Sequence, residues 1–118
     1  MLSEMVDLVL AEDIPLQQNL IQYFVEDYGA SIKCAKDGDE AVWFASVYNP
    51  DISILDPNMS VKNGFQSTEQ IKRIHPNINI IVSTVYASEK SIEKDADDHL
   101  IKPYTKHTLI ESIESVIE

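Results

Sequence analysis

Five short stretches of the chain are continuously apolar or alternate apolar with polar positions: Val6 to Ala11, Ser31 to Ala35, Asp51 to Leu55, Ile78 to Thr84 and His99 to Ile101. Rich in Ile, Val and Leu, they read as β-strands. Between them the apolar period lengthens to three and four. Leu16, Leu20, Phe24 and Val25 recur at that spacing before Gly29, a residue suited to stopping a helix, and Leu109, Ile113 and Val116 do the same near the end. Further helices are expected from about Asp39 to Tyr48, with Trp43 and Phe44 packing on its face, and from about Gly64 to Ile74. The stretch left between the last two strands accommodates a shortened fourth helix, Ser88 to Lys94, of no more than about two turns. Strict alternation of strand and helix implies right-handed crossovers and a parallel sheet covered on both faces, an α/β doubly wound fold.

The 118 residues suffice for one domain with its own core, and no linker, repeat or low-complexity stretch divides residues 1–118. Nine basic against 20 acidic residues give a net charge of -11, which disfavours nucleic acid and anionic membrane and points to protein partners. No apolar run approaches membrane-spanning length and Met1-Leu2-Ser3-Glu4 lacks the regions of a secretion signal, so a cytoplasmic location is expected. The single Cys34, in Ile32-Lys33-Cys34, reads as a small core residue.

Chemistry gathers at the carboxyl ends of the strands. Glu12 and Asp13 close the first run, Asp56 closes Ile52-Ser53-Ile54-Leu55, and Lys102 closes Leu100-Ile101. In an open parallel sheet such ends meet in the crevice where ligands bind. The first and third strands both carry acids there, so they are expected to be neighbours, which is the flavodoxin-like order 2-1-3-4-5. Clustered carboxylates repel one another unless a hard cation such as Mg²⁺ neutralises them, so the pattern suggests metal-assisted phosphoryl transfer onto an aspartate. A plainer reading of Glu12-Asp13 is that they serve the amino terminus of the helix beginning near Pro15. Asp51, Asp95, Asp97 and Asp98 read as solvated acids, and His75 and His107 as exposed helix-end residues.

Taken in order, the acid pair Glu12-Asp13, Asp37-Gly38-Asp39-Glu40-Ala41, Pro50-Asp51-Ile52 leading to Asp56, Asn63-Gly64, Thr84 and Lys102-Pro103-Tyr104 resemble the receiver domains of two-component response regulators along essentially the whole chain. The resemblance implies that Asp56 accepts a phosphoryl group from a sensor histidine kinase, a phosphotransfer protein or a small donor such as acetyl phosphate. It also implies that Asp13, Asp56 and the backbone carbonyl of Asn58 bind Mg²⁺, with Glu12 acting through water. Thr84 and Lys102 then hold phosphoryl oxygens, Lys102-Pro103 is cis, and Asn58 and Tyr86 tune the lifetime of the phosphorylated state. A metal ion and a lysine suit a loose phosphoryl transition state that asks little else of the protein.

The chain departs from the family pattern at Ser60, usually proline, at Asp95, usually glycine, and at His99, where a Tyr or Phe commonly switches. The expected function is a phosphorylation-controlled switch that signals to a downstream protein and is no enzyme on a separate substrate. The alternatives are a docking or dimerisation module independent of phosphorylation and an aspartate-nucleophile phosphatase. The phosphatase is disfavoured by Asn58, two residues after Asp56, where such enzymes carry an acid.

Overall fold

The computed structural model describes residues 6–59, 64–85 and 96–117. The expected Ser88 to Lys94 helix, Ser60, Tyr86 and Asp95 lie outside these residues. The strands are β1 (Asp7–Ala11), β2 (Ser31–Ala35), β3 (Ile52–Leu55), β4 (Asn79–Thr84) and β5 (Asp98–Ile101). They form one parallel sheet in the order β2-β1-β3-β4-β5. The described helices are α1 (Pro15–Tyr28), α2 (Gly38–Tyr48), α3 (Gly64–Ile74) and α4 (Lys106–Ile117). The order places β1 and β3 side by side at the switch point, as the acids at their ends required.

Side chains alternate through the sheet into two cores. Leu8, Leu10, Ile52, Ile54 and Ile81 meet Ile21 and Val25 of α1 and Leu109 and Ile113 of α4 on one face. Val9, Ala11, Leu55, Ile80 and Val82 meet Ala41 and Ala45 of α2 and Ile71 of α3 on the other. Small residues on α2 let that helix lie close to the sheet. Cys34 sits half-buried at the rim of the first core, and burial followed by the nearby Glu26 charge holds its thiol pKa above the ordinary value.

Helix ends follow local chemistry. Gly29 adopts φ 106°, and its N–H donates to the carbonyls of Val25 and Glu26, closing α1 as only a residue without a Cβ does at little cost. Asp37 caps α2 by accepting from the Glu40 N–H at 2.9 Å, and the Glu40 carboxylate accepts from Lys36 N at 3.0 Å.

Several expectations are corrected by long-range packing. The buried stripe of α1 runs through Ile21 and Val25, whereas Leu16 is 79% and Leu20 46% exposed. On α2, Phe44 packs against the core, but Trp43 remains 55% exposed. His75 is half-buried and ties α3 to α2 through Nε2 and the Ala45 carbonyl, 2.6 Å away; His107 is exposed as expected.

Three of the acids read as solvated, Asp51, Asp97 and Asp98, have structural duties too. The Asp51 carboxylate accepts from Asp7 N at 2.8 Å, and that of Asp98 accepts from Ser112 Oγ at 2.6 Å. Asp97 acts as a surrogate strand residue: its N–H donates to the Ile80 carbonyl at 2.7 Å and its carboxylate accepts from the Ile80 N–H at 2.8 Å. The same carboxylate lies 3.3 Å from Lys72 Nζ, which also donates to the Ile78 carbonyl. Asp97→Ala strands the N–H of fully buried Ile80 and should lower stability by about 1–2 kcal/mol in urea unfolding, with Asp97→Asn, which keeps an acceptor, costing less. Equal losses in the two variants would show that the charge, not the acceptor, matters.

Candidate functional site

The sheet ladder itself delivers the site. One residue beyond each strand, the main chain still pairs: Glu12 N donates to Ala35 O at 3.1 Å, Asp56 N to Ala11 O at 3.1 Å and Lys102 N to Thr84 O at 2.8 Å. Three side chains from distant parts of the sequence are thereby fixed at one edge by backbone bonds that any residue type could make. What the residue types add is charge.

Lys102 Nζ stands 2.7 Å from Glu12 Oε1 and 2.9 Å from Asp56 Oδ2, bridging the two acids. The Glu12 side chain is 1% exposed, that of Asp56 11% and that of Lys102 12%. Burial alone would lower the pKa of the Lys102 ammonium; hydrogen bonds to Glu12 and Asp56, and then their charges, outweigh it and hold the pKa above that of an ordinary lysine. The remaining oxygen of Asp56 accepts from Asn58 N at 2.8 Å. The Pro103 bond to Lys102 is cis.

Asp13 completes the cluster from the exposed side. One carboxylate oxygen from each of Glu12, Asp13 and Asp56 lies within 4.8 Å of the others. Three acids against one ammonium leave negative charge in excess when all are ionised. A donor set made only of carboxylate oxygens fits a hard divalent cation such as Mg²⁺ rather than a soft metal.

The cluster opens into a cavity of about 570 Å³ beside α1 and the end of β5, lined by the polar Asp13, Asp56, Asn58 and Lys102 and by Leu20, Phe24 and Tyr104. The Tyr104 hydroxyl pKa is pushed up chiefly by burial, and that hydroxyl lies 3.4 Å from Ser83 Oγ. A second cavity, of about 510 Å³ and lined by Val6, Pro50, Asp51, His75 and Pro76, lies at the opposite ends of the strands, away from this cluster.

The structure therefore brings Glu12, Asp13, Asp56, Asn58 and Lys102 together. Thr84, buried at the end of β4, faces Ile101 across the β4–β5 ladder. His99 pairs with Val82 two steps earlier, half-buried, and its Nε2 has no hydrogen-bond partner among the described residues. Tyr86 lies outside them. Sequence reasoning missed Gln18, whose side-chain amide donates to the Glu12 carbonyl. A glutamine in the first turn of a helix carries no signal of such a bond.

Known proteins match this chain in sequence and fold. The family model described as the response regulator receiver domain matches residues 8–114. The chain is 27% identical to the chemotaxis protein CheY of Halobacterium salinarum, over 92% of this chain and 94% of that protein. Among solved structures, chemotaxis protein CheY4 of Vibrio cholerae superposes with a TM-score of 0.88 at 25% identity, covering 94% of this chain and 98% of that one. The response regulator protein TrrA of Thermotoga maritima, solved in complex with Mg²⁺-BeF, gives 0.87 at 25% identity, over 95% of this chain and 99% of that one.

Proposed function

The chain belongs to the family of response regulator receiver domains of two-component systems, and from that premise we propose that it is a switch set by phosphorylation of Asp56. The observation that carries the proposal is the nearly buried Asp56 carboxylate, held by Lys102 Nζ at 2.9 Å and clustered with Glu12 and Asp13 at the mouth of a cavity. An Asp56 oxygen attacks phosphorus, forming an O–P bond as the P–N bond of a phosphohistidine or the P–O bond of acetyl phosphate breaks. The electron pair leaves with the imidazole or acetate. Water later cleaves the acyl phosphate, returning the carboxylate and inorganic phosphate.

In this reading Asp13, Asp56 and the backbone carbonyl of Asn58 hold Mg²⁺, with Glu12 acting through water. When bound, the cation offsets charge on the carboxylates and the phosphoryl oxygens. Lys102 pairs with a phosphoryl oxygen and Thr84 donates to another; both then differ between the free and phosphorylated states, which is how a local charge change becomes a signal. A sensor histidine kinase or phosphotransfer protein is the donor and a downstream protein the reader, in the cytoplasm. No helix among the described residues is long and apolar enough to cross a membrane.

Intact mass after incubation with acetyl phosphate tests the proposal. One phosphoryl group is expected with Mg²⁺ and little or none with a chelator. A chain that stays unlabelled with Mg²⁺ present would favour a docking module with a receiver fold.

A further inference from the structure

We propose that Gln18 is a positioning residue for the acidic loop, setting where Asp13 presents its carboxylate to the cation. The inference rests on the reading of Asp13 as a metal ligand and extends it to a residue that touches neither metal nor phosphoryl group.

Asp13 is exposed and lies between two buried or fastened neighbours, so its position is set by the main chain on either side. Gln18 holds both sides. Its side-chain Nε2 donates to the Glu12 carbonyl, and its backbone N donates to the Ile14 carbonyl at 3.0 Å. The second bond is the first of α1 and is available to any residue but proline. The first requires a side chain with a donor of this reach.

The usual fastening of such a loop is missing. Ile14 occupies the N-cap of α1 and makes no side-chain capping bond, since it has no acceptor to offer. The loop is otherwise secured by Glu12 N on Ala35 O and by Ile14 N on Glu12 Oε2, at 3.1 and 3.2 Å. The Glu12 Oε2 bond draws on the same carboxylate that pairs with Lys102 through Oε1. Without the Gln18 amide the peptide joining Glu12 to Asp13 loses its acceptor-side anchor and gains freedom to rotate. Rotation of that peptide displaces Asp13, and Mg²⁺ tolerates little departure from octahedral geometry. Groups that orient metal ligands without touching the metal commonly change affinity by about 10–100-fold. The effect here is expected at or below the lower end, because the bond is to main chain and not to the ligand itself.

The test is Mg²⁺ titration of the full chain by calorimetry. Gln18→Met keeps size and helix propensity while removing the donor, and Gln18→Ala does so with the best helix former. Both should raise the Mg²⁺ dissociation constant about three- to tenfold. Labelling by acetyl phosphate should need correspondingly more Mg²⁺ while reaching the wild-type plateau rate, a split that general damage to the fold does not produce. Unchanged Mg²⁺ affinity in both variants, or a lowered plateau rate with unchanged half-saturating Mg²⁺, overturns the role of Gln18. A wild-type chain that takes up no Mg²⁺ removes the reading of Asp13, and this inference with it.

Discussion

Asp56→Asn should leave the chain unlabelled by acetyl phosphate and Mg²⁺, with the rate of phosphoryl transfer at least about a thousandfold lower, equivalent to about 4 kcal/mol in the barrier. The amide is the same size and keeps an oxygen for the Asn58 N–H, so the loop after β3 has no reason to move. It loses the negative charge that makes the oxygen a nucleophile. Stability should change little, for two effects oppose. Lys102 loses one of its two carboxylate partners but retains Glu12 at 2.7 Å, and the repulsion among Glu12, Asp13 and Asp56 is relieved. Intact mass with peptide mapping decides the matter. Labelling of the variant at wild-type stoichiometry, on Asp13 or Glu12, would remove Asp56 from the acceptor role.

The backbone frame was legible because it follows from local periodicity and simple topology. Alternating strands and helices implied the parallel sheet, and acids at the ends of two runs implied that β1 and β3 are adjacent. The same ends also gave the cluster, since a strand terminus fixes its next residue whatever the side chain, as the Glu12, Asp56 and Lys102 backbone bonds demonstrate. The buried face of α1 was legible only in part, at Phe24 and Val25. Leu16 and Leu20 satisfy a helical period as well as Ile21 and Val25 do, and only the path of the helix across the sheet selects between them. The polar fasteners were likewise hidden. The bond from Ile80 N to Asp97 spans 17 residues, and that from Gln18 to Glu12 turns on the shape of one loop. Neither leaves a trace in composition or spacing, so an acid such as Asp97 looks solvated until its acceptor role is seen.

Removing the ammonium should have the largest effect on stability. Lys102→Met keeps the length and apolar stem of the side chain and deletes the charge that bridges Glu12 and Asp56. Breaking a buried ion pair from one side typically costs about 3–5 kcal/mol, since the partner is left charged and unpaired in a poorly solvated place. The lower value, about 3 kcal/mol, is expected here, because Asp56 and Asp13 border an open cavity through which water reaches them. Glu12, with a side chain 1% exposed, bears most of the penalty. Mg²⁺ offers positive charge to the same cluster, so it should stabilise Lys102→Met more than it stabilises the wild type, restoring part of the loss by binding the folded state alone. Thermal unfolding with Mg²⁺ and with chelator measures both halves of the argument. A variant as stable as wild type in chelator would show that Lys102 does not offset the acids in the folded chain. A loss that Mg²⁺ leaves untouched would show that the cation and the ammonium address different groups.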